Sequence, residues 1–340
     1  MVTGAGSGVG QGIVKALRIS ELPVAVVSAD IAPMNAALYR TDEALLIPRV
    51  ESPGALEELR DVITSAAIDV IMVGSEFDLS FFSQHRAAIL EQTGARVIVA
   101  PPGTVAIADD KWLTAEFLRE NGLPYAPSSI SADLDEVVAT SAAWGYPVIV
   151  KTKRGTSSRH VHIVADEQQL RRVWPVTPQP MLQEVVKMPT SELGNEYTCS
   201  VFRTASGRVL GPFHARRTLR GGTSWHIEVD RFPQLDSVLL GIAERLPFEG
   251  TLNVQLMMGA SGPVPFELNA RFSGTTAVRA SFGFNEPAMS LLSFYYGEEP
   301  PAPVIRKGVA MRYLEEVFVE GVGASELIPG ASKGHVRPWF

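Results

Sequence analysis

The sequence holds one cysteine, Cys199, in 340 residues. No disulfide can form within the chain, and no cysteine cluster is available for structural zinc. That fits a reducing, cytoplasmic setting. Cys199 falls inside an apolar run, where it reads as a small core residue rather than a nucleophile. The six histidines show no zinc-protease spacing. No apolar run approaches the roughly 20 residues of a membrane span, so no membrane partner is expected. An excess of positive charge is missing as well. The net charge is −7, which argues against a nucleic-acid partner held by general electrostatics but leaves room for a local basic pocket. Internal repeats and low-complexity stretches are absent. The chain opens directly on Val2-Thr3 and a glycine turn, with no signal-peptide pattern; so short a first strand suggests a clipped or misassigned start.

What is present is ordinary for a globular protein, with 46% hydrophobic and 20% charged residues. The length calls for two or three structural units rather than one core. Residues 1–108 read as an α/β unit. Apolar runs at 24–28, 45–47, 70–73 and 97–99 look like strands covered on both faces. Helical patterns separate them, carried by Ile13 and Leu17, by Leu56, Leu59 and Ile63, and by residues 79–93. The alternation predicts a doubly wound parallel sheet. Gly4-Ala5-Gly6-Ser7-Gly8-Val9-Gly10 invites an NAD(P)-linked oxidoreductase reading, but no register of it fits G-x-G-x-x-G. Asp30 as a ribose ligand is a weak signal. A tight strand-to-helix turn that needs glycine explains the run better.

Pro101-Pro102-Gly103 marks 101–108 as a linker. A helix then opens at Asp109-Asp110 and closes at Asn121-Gly122. Its first turn carries Lys111, an unfavourable place for a cation facing the helix dipole; taken alone the residue reads as a solvated lysine, with a ligand as the other reading. A helix near 137–143 precedes the strand Tyr146–Lys153, whose end places Lys151 where a phosphate is in reach. The loop 154–160, with Arg154, Thr156, Ser157, Ser158 and Arg159, suits phosphates, or is simply a hairpin tip. The strand ending in Gln183-Glu184-Val185-Val186-Lys187 has an exposed edge that can offer backbone groups to a purine. Arg217 to Thr223 reads as a basic, glycine-bearing loop. Leu235, Val238, Leu239, Ile242, Ala243 and Leu246 give the clearest helical period in the chain.

An apolar run from Thr251 to Met258, a turn at Ala260-Ser261-Gly262 and the stretch Phe266–Arg271 predict a β-hairpin. Alternation puts Glu267, Asn269 and Arg271 on one face, with Gln255 able to join them. Carboxylate and amide oxygens suit a hard divalent cation such as Mg²⁺ beside phosphates. The guanidinium suits a transferring phosphoryl group. Taken alone, the same face reads better as a solvated strand with an ordinary ion pair.

The order of these parts resembles the ATP-grasp superfamily, and within it the carbamoyl-phosphate-synthetase-like carboxylate–amine ligases. The residues that carry the resemblance are Phe266-Glu267-Leu268-Asn269-Ala270-Arg271-Phe272-Ser273-Gly274 and Tyr146-Pro147-Val148-Ile149-Val150-Lys151, with Asp110-Lys111 and Gln183-Glu184 in the right order. It covers roughly residues 1–300. It implies an N-terminal α/β domain at 1–108, an ATP-grasp domain at 109–300 with a small lid at about 126–183, and a C-terminal segment at 301–340. By position, Lys111 and Lys151 would hold ATP phosphates. Glu184, Val185, Val186 and Lys187 would meet adenine, and Glu196 the ribose. Gln255, Glu267 and Asn269 would ligate one or two Mg²⁺ (or Mn²⁺) ions. Arg271, with Lys151, would be catalytic. Glu76, Arg216, Arg220, Arg279 and Glu286 would be candidate substrate contacts. The implied reaction turns a carboxylate into an acyl phosphate for attack by an amine or other nucleophile. A non-catalytic nucleotide-binding protein is the other reading on this fold, and a homodimer is the family-level expectation. With a single ATP-grasp unit, the chain fits a stand-alone ligase for a small acid better than carbamoyl-phosphate synthesis. The loop at 154–160 has one glycine, fewer than such loops often carry.

Overall fold

The computed structural model of the protein describes residues 1–155, 160–186, 195–327, 329 and 335–337. The first unit is a five-stranded parallel sheet of β1 (Val2–Thr3), β2 (Val27–Asp30), β3 (Glu43–Leu46), β4 (Val70–Val73) and β5 (Arg96–Ile98), in the order β3-β2-β1-β4-β5. Helices α1 (Gly8–Arg18), α2 (Ala55–Ser65) and α3 (Glu76–Thr93) make the crossovers. This is the doubly wound α/β fold expected from the alternating pattern. The second strand is displaced toward Asp30 relative to the apolar run that announced it.

The glycine turn packs closely. A Cβ on Gly74 would lie 2.6 Å from the Cα of Gly10 and 2.4 Å from the carbonyl oxygen of Thr3. Only glycine lets α1 approach the ends of β1 and β4 this tightly. Asp30, the acid considered for a ribose, is occupied within the turn. Its Oδ2 accepts from the Gly6 amide at 3.0 Å and from Asn35 Nδ2 at 2.7 Å, and its Oδ1 from the Ile31 amide at 2.8 Å.

Residues 101–108 are not a linker. They form most of α4 (Pro102–Asp109), with Pro102 in the first turn and Thr104, Val105 and Ala108 buried. Proline at that position starts a helix rather than breaking one, because its missing N–H would have no partner there. Asp110 then caps α5 (Lys111–Glu120), its Oδ1 accepting from the Trp112 and Leu113 amides at 2.9 and 3.3 Å.

A small second sheet follows. Its strands are β6 (Ser128–Ser129), β7 (Val148–Thr152), β8 (Val161–Val164) and β9 (Pro180–Glu184), in the order β6-β9-β7-β8. Helices α6 (Leu134–Trp144) and α7 (Glu167–Val173) cover it. Val137, Val148, Val150, Leu170, Trp174 and Leu182 give this unit a core of its own. Each fully buried aliphatic side chain there contributes about 1.5–3 kcal/mol. A unit with a private core can shift as a body without opening its neighbours.

The third sheet has seven strands. β10 (Glu196–Arg203), β11 (Val209–Phe213), β12 (Ala215–Arg220), β13 (Thr223–Val229), β14 (Gly250–Gly259) and β15 (Gly262–Asn269) are joined by β16 (Gly308–Met311). The path runs β15-β14-β10-β12-β13-β16, with β11 on β10. The strong helical period is α8 (Asp236–Arg245), which buries Val238, Leu239, Ile242 and Ala243, with Leu235 and Leu246 buried at its ends. Its residues share one core with Ile71 and Phe82 of the first unit and with Leu252 and Leu268 of the sheet.

The supposed basic loop after Arg216 is instead the hairpin β12–β13. Its turn is Gly221-Gly222, with φ of +56° and +75°, a pair of positive φ values that suits glycine in a tight hairpin. Short helices α9 (Thr276–Ser281) and α10 (Glu286–Ser290) close the lobe. Among the described residues no helix is long and apolar enough to cross a membrane. Cys199 is fully buried on β10, and burial pushes its thiol up to about 12.

Candidate functional site

A cleft of about 570 Å³ lies where the three sheets converge. The first unit contributes Ser7, Gly8 and Glu76, the small sheet Ile149, Lys151 and Glu184, and the lobe Glu196, Gln255, Glu267 and Arg271. Cross-strand pairing explains the lobe's contribution. Gln255 faces Glu267 and Asn253 faces Asn269 across β14 and β15, so these side chains share one face. Between Gln255 and Leu256 the register slips, because Leu256 pairs with Pro265. The extra residue is Phe266. Strict alternation would turn it away from the cleft, but the bulge re-aims it, and both Phe266 and Glu267 line the wall.

Glu267 Oε1 accepts from Gln255 Nε2 at 3.0 Å and from Asn269 Nδ2 at 2.9 Å. Two neutral amides thus hold a half-buried carboxylate that faces the cleft. An anionic oxygen so placed, with an amide beside it, is of the donor type that can hold a hard cation.

Lys151 is 5% exposed, and its Nζ donates to Gln183 Oε1 at 2.8 Å. Burial, with the Lys111 charge nearby, pushes its ammonium down to about 8, and Glu267 acts in the opposite direction. Lys111 Nζ donates to the Gly155 carbonyl at 2.7 Å, so its awkward place at the start of α5 points it across to the small sheet. Arg271 is nine-tenths buried, pairs with Glu76 and donates Nη1 to the Phe272 carbonyl at 2.8 Å. Burial, with Arg279 behind it, pushes the Arg271 guanidinium down to about 10.

The structure therefore brings Lys111, Lys151, Glu184, Val185, Val186, Glu196, Gln255, Glu267, Arg271 and Glu76 to one cleft. Asn269 stands beside it through Glu267. Lys187 and the loop residues Thr156, Ser157, Ser158 and Arg159 lie outside the described residues.

Four of the expected substrate contacts are elsewhere. Arg279 and Glu286 are both 0% exposed and pair at 2.9 Å, which seals them from any ligand. Arg216 pairs with Glu228 at 2.9 Å through Nε, on the opposite face of β12 from the cleft. Arg220 is exposed and stacks over Trp225, 4.7 Å from the ring centroid. In this segment the residue after Arg216, Arg217, reaches the cleft. One step in a strand flips a side chain to the other face, so reading this segment as a strand would have found it. Arg312 was also missed. It follows β16, lines the cleft and donates to the Gly274 carbonyl, and no local motif signals that a tail strand returns there.

A nucleotide-sized cleft between a small, separately cored sheet and a larger antiparallel sheet, with lysines on one wall and a carboxylate–amide–arginine strand on the other, defines an ATP-grasp architecture. Family models place an ATP-grasp domain in this chain, and its curated relatives include carbamoyl phosphate synthase large chains.

Residues 182–317 match the family described as "ATP-grasp in the biosynthetic pathway with Ter operon". Residues 110–179 match the "Carbamoyl-phosphate synthase L chain, ATP binding domain". Residues 2–98 match the "PylC-like, N-terminal domain". The carbamoyl phosphate synthase large chain of Pyrobaculum aerophilum is 22% identical over 285 residues, which are 79% of this chain and 27% of that protein. The arginine-specific large chain of Eremothecium gossypii is 24% identical over 321 residues, 88% of this chain and 28% of that protein. The chain thus spans about a quarter of the length of these curated relatives.

Among solved structures, N5-carboxyaminoimidazole synthetase from Staphylococcus aureus complexed with ADP superposes with a TM-score of 0.73 at 16% identity, over 98% of this chain and 91% of that one. The biotin carboxylase domain of Hydrogenobacter thermophilus 2-oxoglutarate carboxylase, solved with MgADP and bicarbonate, gives 0.71 at 17% identity, over 100% and 83%. At these identities the likeness is one of fold.

Proposed function

We propose that the chain binds ATP in this cleft and transfers its γ-phosphoryl group to a carboxylate. The product is an acyl phosphate, which an amine or another nucleophile attacks as ADP and phosphate are released. The observation that carries this reading is the convergence of Lys111, Lys151, Glu267 and Arg271 on one cleft, from three separate parts of the chain.

The two lysines act as point charges on the phosphates. Val185 and Val186, at the end of β9, flank the purine, with the backbone of Glu184 at the hinge, and Glu196 faces the ribose. Glu267 and Asn269 would hold Mg²⁺ (or Mn²⁺), which would supply positive charge to neutralise the transferring group. Arg271 supports that same group after exchanging its Glu76 partner for it. A carboxylate oxygen of the acid bonds to phosphorus as the bond to the ADP oxygen breaks. The nucleophile then attacks the acyl carbon, loses its proton, and phosphate departs. Positioning and charge stabilisation supply the rate, and closure of the small sheet keeps water from the acyl phosphate. In this reading residues 1–108 and 109–300 are the working units, with 126–183 as the lid, while β16 and Arg312 of the C-terminal segment 301–340 complete the large sheet and the cleft.

A phosphate-release screen over an acid-by-amine matrix, with mass detection of the product, tests the proposal. Release that requires ATP and one acid, with a product mass of acid plus nucleophile less water, is the expected result. ATP binding without turnover across the matrix would make the chain a nucleotide-binding protein without this activity.

A further inference from the structure

Arg217 lines the cleft beside Gln255 and Glu196. It is 9% exposed, and its Nη2 donates to Gln255 Oε1 at 2.7 Å. Its Nε donates to Glu196 Oε1 at 3.0 Å, with Nη2 on the same oxygen, and its Nη1 to Ser224 Oγ at 3.0 Å. Gln255 in turn donates Nε2 to Glu267 Oε1 at 3.0 Å. The direction of that amide is forced. A guanidinium has only donors and a carboxylate only acceptors, so flipping Gln255 would set donor against donor and acceptor against acceptor. Its oxygen therefore faces a guanidinium cation.

We propose that the Arg217 guanidinium takes the place of one divalent ion, so that the site holds a single metal with its nucleotide, at Glu267 and Asn269. This rests on the ATP-binding reading above and narrows its one or two ions to one. Mg²⁺ demands a near-octahedral set of oxygens at about 2.0–2.1 Å. On the Gln255 side the available oxygen already accepts from a guanidinium. Among the described residues no group of three or more His, Cys, Asp or Glu side chains could hold a metal without the nucleotide's help. A dication placed beside Gln255 would also meet a buried like charge within hydrogen-bonding distance. The backbone favours the arrangement. β12 slips register against β13 between Arg217 and Leu219, and both residues line the cleft.

The experiment counts Mn²⁺ ions by EPR titration of the full chain at saturating ADP, with ADP binding measured separately by calorimetry. The wild type should bind one Mn²⁺ per chain. Arg217→Met, of similar volume and without charge, should bind two, and Arg217→Lys, which keeps a cation, should bind one. Two Mn²⁺ ions on the wild type overturn the inference, as does one Mn²⁺ on a folded Arg217→Met chain that still binds ADP. If Arg217→Met fails to fold, one ion on both the wild type and Arg217→Lys supports the inference and two on either overturns it. Absence of ADP binding to the wild type would instead remove the nucleotide reading on which the inference rests.

Discussion

Glu267→Gln should lower ADP formation by more than about 100-fold, the scale on which removal of one oriented charge-stabilising group is felt in a preorganised site. The substitution keeps shape and volume and removes one negative charge. In the native chain the Gln255 and Asn269 amides both donate to Glu267 Oε1, so the carboxylate is the acceptor around which that strand face is arranged. An amide in its place has one oxygen to offer and brings two donors toward donors already there. Metal affinity should fall together with the rate. Nucleotide binding should survive in weakened form, because Lys111 and Lys151 lie on the opposite wall. ADP release under the conditions found by the screen, alongside Mn²⁺ binding by EPR, checks this. Undiminished activity in the variant would remove Glu267 from the metal role.

The second large effect is on stability. Glu286→Ala should cost about 3–5 kcal/mol, the range for stranding one partner of a buried ion pair. At roughly 1.4 °C per kcal/mol for a chain of 340 residues, the melting point should fall by about 4–7 °C. Arg279 and Glu286 join α9 and α10 to the large sheet. Glu286 Oε1 accepts from Ser200 Oγ and Thr251 Oγ1 as well as from Arg279, while Arg279 also donates to Asn253 Oδ1, to Thr198 Oγ1 at 3.3 Å and to the Cys199 carbonyl at 3.4 Å. Removing the acid leaves a guanidinium in a dry site with too few acceptors. Replacing both ions with apolar residues of similar size, Arg279→Met with Glu286→Leu, should recover much of the loss. Calorimetry of the single and double variants measures the coupling. A single variant that melts within 2 °C of the wild type would contradict this account of the network.

The same pair marks where the sequence stops being legible. Strand and helix periods are local, and they gave the parallel sheet and α8, while the site residues came from the resemblance in the order of the parts. A charged side chain carries no local sign of whether its partner is water or another buried ion, so Arg279 and Glu286 read as substrate contacts when they are a sealed pair. Arg216 and Arg217 differ only in which face of β12 they occupy, and that depended on recognising a strand in a segment whose glycines suggested a loop. Phe266 reaches the cleft through a bulge, which no alternation rule anticipates. Arg312 arrives by a long-range return of the chain to the edge of the large sheet. Pro102 was misread for a different reason: the same residue that ends one helix opens another, and the difference lies in which backbone N–H groups need partners.

The most direct test of the central claim is the identity of the nucleotide products, followed by phosphorus NMR during turnover with the acid and nucleophile selected by the screen. The account predicts ADP and inorganic phosphate, formed only when the acid is present. AMP and pyrophosphate would contradict it, because they would mean activation by adenylation rather than through an acyl phosphate.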